Sequence, residues 1–185
     1  MDLQTLKASL QEMFHRPTAI YEDGTSYGPA QSRWTKTPIK FQSSHISPGI
    51  NGYYDWNDTK PHMVINPKSD EHRTKQSSIG DTIRHESIHA LLSDALTKAG
   101  STDLINSYRI LDQENPAYFD IAKKIVGKRG GITPVEVPAY AGQREFRQFG
   151  IDPKTRAEYI NSLIQSLQGI DPDASKTYKR IAGFK

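Results

Sequence analysis

The chain has 185 residues, no cysteine, 35% hydrophobic residues and 24 Lys and Arg against 21 Asp and Glu, a net charge of +3. That length suits one compact domain, and the absence of cysteine excludes a disulfide framework, a thiolate nucleophile and a thiolate metal site, so that any metal must be held by His, Asp or Glu. The longest apolar runs, such as Ala90-Leu91-Leu92, fall far short of the roughly 18 residues of a membrane helix, and no charged start followed by an apolar block suggests a signal peptide, so no membrane segment is expected.

Leu3, Leu6, Leu10, Met13 and Phe14 recur at helical steps and predict an amphipathic helix ended by Pro17. Residues 18 to 60 are punctuated by Gly and Pro and read as loop and short strands, including the β-prone piece Trp34 to Phe41. Tyr53-Tyr54-Asp55-Trp56 and Met63-Val64-Ile65 flank the polar segment Asn57-Asp58-Thr59-Lys60, which predicts a hairpin whose second strand stops at Asn66-Pro67. A long central helix is expected from Ser77 or Ser78, either of which can cap it, to about Lys98, with Gly100 as terminator. Its apolar positions cover much of its circumference, with Ile88, Leu91, Ala95 and Ala99 on one stripe and His85, His89, Leu92 and Leu96 on the next, so it belongs inside the molecule. Further helices are expected at Leu104 to Leu111, Pro116 to Val126, Pro138 to Phe149, Pro153 to Leu167 and Pro172 to Ile181. The basic group Lys123, Lys124, Lys128 and Arg129 lacks interleaved aromatics and fits the solvated end of a helix, so no nucleic-acid partner is expected. The fold class is α+β, a single domain over 1–185 with short strands first and a helical C-terminal half.

Within the central helix lies His85-Glu86-Ser87-Ile88-His89, an HExxH pattern that arises by chance in roughly 0.8% of chains of this composition. Histidines at i and i+4 project from one helix face one turn apart and can chelate one Zn²⁺, with Glu86 beside that face. Without a ligand the same residues would have to be two histidines satisfied by partners on a buried helix, with Glu86 in an ordinary ion pair.

The segment Ile83 to Leu92 resembles the active-site helix of zincin metallopeptidases, with bulky Ile88 between the histidines and Ala90-Leu91-Leu92 after them. The metzincin extension is absent, because Leu92 and Ala95 stand where that pattern has Gly and His. Resemblance to the gluzincin branch implies a third ligand from a downstream Glu: Glu114, Glu136, Glu145 or Glu158. Glu136 is favoured, since Pro138, Ala139, Ala141 and Gly142 after it would let its segment approach closely, whereas Glu114 lies in a hydrophilic stretch that reads as an exposed turn. Against that, Thr133-Pro134-Val135-Glu136 also matches a capping box, in which the Glu would serve only a backbone N–H. Tyr140, one turn after Glu136, is the candidate oxyanion donor, an equal alternative being a packing tyrosine. Tyr53, Tyr54 and His62 are weaker candidates for substrate contact, and Asp94 or Asp112 for support of a ligating histidine.

The resemblance implies one zinc per chain on His85, His89 and Glu136, Glu86 as general base and acid, and hydrolysis of peptide bonds in a peptide or protein substrate. It also implies a small twisted sheet over the HExxH helix, with Tyr53 to Ile65 as the hairpin whose edge pairs with an extended substrate. A non-catalytic zinc-stabilised protein, and a zinc amidase acting on other amides such as cell-wall crosslinks, are compatible with the same residues. No compartment is read from the sequence: a cytoplasmic, virion-associated or non-classically exported domain would all fit.

Overall fold

The structure, a computed structural model, describes residues 19–20, 26–27, 31–57, 59–113, 115–131 and 133–184; the helix expected over Leu3 to Phe14 and the position of Glu114 lie outside them. Strands β1 (Ala19–Ile20) and β2 (Ser26–Tyr27) form an antiparallel ribbon, and β3 (Ile39–Phe41), β4 (Gly52–Asp55) and β5 (His62–Ile65) form a three-stranded sheet with β5 in the middle. The described helices are α1 (Asp70–Arg73), α2 (Ile79–Lys98), α3 (Leu104–Gln113), α4 (Tyr118–Arg129), α5 (Glu136–Gly142), α6 (Pro153–Ile170) and α7 (Pro172–Ile181), so the fold class is α+β and mostly helical. The chain forms two compact units, Met1–Ala90 and Leu91–Lys185, and the division falls inside α2, which runs through both.

In the first unit the expected hairpin is present, with β4 antiparallel to β5 and Tyr53 opposite Val64. On the other side of β5, β3 pairs in parallel, Ile39 opposite Met63. As the central strand, β5 buries Met63, Val64 and Ile65 in succession, which explains its unbroken apolar run. The sheet lies on the first half of α2: a Cβ on Gly52 would stand 2.8 Å from the Val64 carbonyl oxygen and 3.0 Å from Thr82 Cγ2, so only glycine fits there. Helix α2 starts as expected, Ser78 Oγ accepting the Asp81 N–H at 3.0 Å. It stops at Gly100, whose φ of 88° is followed by a Ser101 N–H to Leu96 carbonyl bond of 3.0 Å, the 6→1 closure of a Schellman motif. All residues from Asp81 to Ala90 are buried. Trp34 covers this half of the helix beneath the Arg84 guanidinium, 4.9 Å from the ring centroid, and Arg84 is ion-paired to Asp81 at 3.5 Å.

Short helix α1, absent from the sequence reading, ties the end of β5 to α2. Ser69 caps it by accepting the His72 N–H, and the buried His72 ring spans from the Asn66 carbonyl (Nδ1, 2.7 Å) to the Thr82 hydroxyl (Nε2, 2.9 Å). Since a carbonyl only accepts, Nδ1 carries the proton and Nε2 accepts from Thr82 in the neutral ring. Desolvation by burial holds the His72 pKa below its ordinary value, opposed by the Asn66 hydrogen bond and the charge of Glu71.

The second unit is organised by α6, which packs against α3, α4, α5 and α7. Asp152 caps it through the Thr155 N–H, and Arg156, Tyr159, Ile160, Leu163 and Leu167 form its buried stripe. The Thr155 hydrogen bonds, with that of Lys124, hold the Asp152 carboxyl far below the usual carboxylate range. The continuous helix expected over Pro138 to Phe149 is corrected. Helix α5 begins two residues earlier, at Glu136, and ends at Gly142; Gln143 is extended (ψ 154°), and a separate 3-10 turn covers Phe146–Phe149. Pro138 thus sits in the first turn of α5, where backbone N–H groups have no intrahelical partner. Of the basic group on α4, Lys124 pairs with Asp152 at 3.1 Å and Lys128 and Arg129 occupy the last turn, as a solvated helix end predicts.

Candidate metal centre

A spacing of four residues on a helix of 3.6 residues per turn places His85 and His89 on one face of α2, and the structure brings their rings together edge to face, centroids 4.8 Å apart. The two Nε2 atoms are 3.0 Å apart, close enough to share one proton or one cation. Two nitrogens about 2.05 Å from a tetrahedral ion would stand about 3.3 Å apart, so the pair needs an adjustment of only a few tenths of an ångström to chelate. Both histidines are buried, at 7% and 5% exposure. Glu86 is also buried, at 4% exposure, next in sequence to the first of them.

Glu136 is the downstream carboxylate that joins them. His85, His89 and Glu136 each offer one donor atom, and these atoms all lie within 4.8 Å of one another, the grouping of three possible ligands found among the described residues. Two imidazole nitrogens and one carboxylate oxygen are a donor set that fits a divalent metal ion such as zinc. Glu136 is the first residue of α5, with Val135 at the N-cap, and not the third residue of a helix capped by Thr133, as the capping box would have it. Glu158 instead lies 4.0 Å from Lys154 on an exposed face of α6, and Glu145 stands before the 3-10 turn, outside the group of three.

Tyr140 follows Glu136 by one turn on α5, and its ring packs edge to face on Phe149 (4.7 Å between centroids) with the Arg129 guanidinium over it at 5.7 Å. Tyr53 on β4 is 41% exposed, and Tyr54 lies 6.5 Å from Trp56. The His62 Nδ1 faces the Lys60 carbonyl at 3.2 Å. Asp94 is engaged by Lys98 at 2.6 Å on the surface, which also raises the Lys98 pKa.

Two residues that the sequence reading passed over hold α5. The Arg156 Nε donates to the Ala141 carbonyl at 2.6 Å, and the Tyr178 hydroxyl donates to the Pro138 carbonyl at 2.9 Å. Arg156 carried a legible signal, since it falls on the helical stripe with Tyr159, Ile160, Leu163 and Leu167 and a charge there must be buried. No protein family, curated protein or solved structure matches this chain.

Proposed function

We propose that this chain is a zinc-dependent metallopeptidase of zincin type, an endopeptidase in which His85, His89 and Glu136 hold the metal. The observation that supports it is the grouping of these three donor atoms within 4.8 Å, two of them from the HExxH sequence of α2 and the third from α5. A bound zinc supplies a Lewis acid and lowers the pKa of a coordinated water to about 7. Glu86 accepts the proton of the attacking water and returns it to the leaving amine, its position next to His85 keeping it near the metal without ligating it. Glu136 contributes a negative charge that offsets the cation, and the Tyr140 hydroxyl, one turn on, donates to the oxygen of the scissile carbonyl as charge develops there. The outer side of β4, an edge of the three-stranded sheet among the described residues, is where an extended peptide adds by backbone pairing, with Tyr53 as an exposed contact.

A catalytic zinc takes three protein ligands, the number grouped here, whereas a zinc-stabilised binding protein would close the site with a fourth. The test is zinc analysis of the full chain beside cleavage of a denatured protein substrate, with and without a chelator. One zinc per chain, chelator-sensitive cleavage, loss of zinc in His85→Ala, and a Glu86→Gln that keeps its zinc but cleaves about 10²–10⁴-fold more slowly are expected. A Glu86→Gln as active as the wild type would sink the peptidase reading, and cleavage of non-peptide amides alone would replace it with the amidase one.

A further inference from the structure

We infer that Arg156 is a positioning residue for Glu136, setting the carboxylate by gripping the far end of the helix that carries it; this rests on the reading of His85, His89 and Glu136 as metal ligands. Helix α5 has seven residues, too few to stand alone. It contains Pro138 and has no side-chain N-cap, so little within it fixes where Glu136 lies. The fixing comes from outside. Arg156 Nε donates to the Ala141 carbonyl at 2.6 Å, and Nη2 donates to the Gln143 carbonyl at 3.4 Å, so one rigid fork spans the end of α5 and the extended residue after it. The same Nη2 donates to the Ala182 carbonyl at 2.8 Å, and the guanidinium lies 4.2 Å from the Phe146 ring centroid and 5.2 Å from that of Phe184.

The guanidinium is therefore locked to the carbonyl end of α7 and between two aromatic rings, and it transmits that fixed position to α5. A positive charge against carbonyl ends of two helices is also where the helix dipoles favour it. Tyr178, from α7, adds a third anchor on the Pro138 carbonyl. Burying a guanidinium only to fill space would be costly, because its N–H groups need acceptors; here they find acceptors on the element that presents the ligand. Metal ligands tolerate errors of only about 0.2 Å, so release of one end of a short rigid helix is read at the other.

Arg156→Lys keeps the charge but cannot bond two carbonyls through a planar fork. The test is the dissociation constant for Zn²⁺, and for Co²⁺ with its visible spectrum, on full-length protein checked for cooperative unfolding. Arg156→Lys is expected to weaken Zn²⁺ binding about 10-fold, the low end for residues that support a metal ligand, and to change the Co²⁺ spectrum towards that of Glu136→Ala. In the Glu136→Ala background it should weaken binding no further. Affinity within about 2-fold of wild type, or an equal added loss in the Glu136→Ala background, would overturn the inference. If Arg156→Lys fails to fold, Tyr178→Phe reads the same anchor, with a loss of about 3-fold that vanishes without Glu136; an undiminished loss there overturns it as well. A wild type that binds no zinc, or a Glu136→Ala that binds it as tightly, overturns the metal reading itself, and that comparison is made before Arg156 is touched.

Discussion

The Ser32 hydroxyl donates to the Ser87 hydroxyl at 2.7 Å, joining the turn before β3 to the middle of the HExxH sequence. The direction follows from what each oxygen already does. Ser87 Oγ donates to the Ile83 carbonyl at 2.7 Å, while Ser32 Oγ accepts the N–H groups of Trp34 and Thr35 at 3.2 and 3.4 Å. Both serines are 0% exposed, so each replacement leaves a polar group without water or partner. Ser87→Ala and Ser32→Ala should each cost about 1–3 kcal/mol in urea denaturation, and the double variant less than their sum. Ser87 points away from the face of His85 and His89, so zinc content should be unchanged; a Ser87→Ala that keeps full stability would show that this bond does not anchor the helix.

Gly52→Ala should destabilise more sharply than an alanine at an ordinary strand position. The added carbon meets the Val64 carbonyl oxygen at 2.8 Å and Thr82 Cγ2 at 3.0 Å, and a backbone oxygen in the central strand cannot swing aside. A loss of about 2 kcal/mol is expected, measured by thermal and urea unfolding, and a neutral outcome would mean that β4 shifts freely against α2.

Lys75 adopts a left-handed backbone, φ 59°, just after α1. Such a conformation costs a side-chain-bearing residue about 1–2 kcal/mol, and glycine recovers most of it, less the extra entropy it has when unfolded. Lys75→Gly should therefore stabilise by about 0.5 kcal/mol. Lys75→Ala, which keeps the strain, should not.

Stability should fall on acidification through His72. Its pKa in the folded protein lies below the ordinary 6.5 because burial disfavours the charged ring. The unfolded chain then binds the proton more readily, so stability is full above about 6.5, begins to drop as pH falls through that value, and continues to drop down to the lowered folded pKa. Urea midpoints at pH 7.5 and pH 5 should differ less in His72→Gln than in the wild type, although the variant is weaker at both because it loses the bonds to Asn66 and Thr82. Equal pH dependence in the two proteins would remove His72 as the cause.

How much of this was legible in the sequence depended on whether the determining contacts were local. The motif helix was, because Ser78, Gly100 and the four-residue spacing of the histidines are local signals, and so was the hairpin, whose polar segment sits between its strands. Strand β3 falls inside the β-prone piece Trp34 to Phe41, but its parallel pairing with β5 was not legible, since a parallel pair needs no turn and leaves no mark between Phe41 and His62. The end of α5 was misread for a related reason. Pro138 looks like the start of a helix, and what stops the helix at Gly142 is Arg156, fourteen residues downstream of that glycine, taking the carbonyls of Ala141 and Gln143. The choice of Glu136 over the other carboxylates rested on the small residues after it, and Val137, Pro138, Ala139, Ala141 and Gly142 are all buried.

Metal removal supplies the remaining prediction, which tests ligation without reference to any substrate. A ligand that binds only the folded chain stabilises it by RT ln(1 + [L]/Kd), about 2.7 kcal/mol when free zinc is 100 times Kd. For a chain of this size each kcal/mol moves Tm by about 2–4 °C, so stripping the wild type with a chelator should lower Tm by about 5–10 °C, and restoring zinc should recover it. His85→Ala and His89→Ala should show the smallest zinc-dependent shifts, because each removes one of the two nitrogens now 3.0 Å apart and leaves a single imidazole beside the Glu136 carboxylate. Glu136→Ala should keep a smaller zinc-dependent shift, since the histidine pair remains as a two-point chelate. A shift in the histidine variants as large as in the wild type would place the zinc elsewhere on the chain, and no shift in any protein, the wild type included, would mean that this group does not hold zinc.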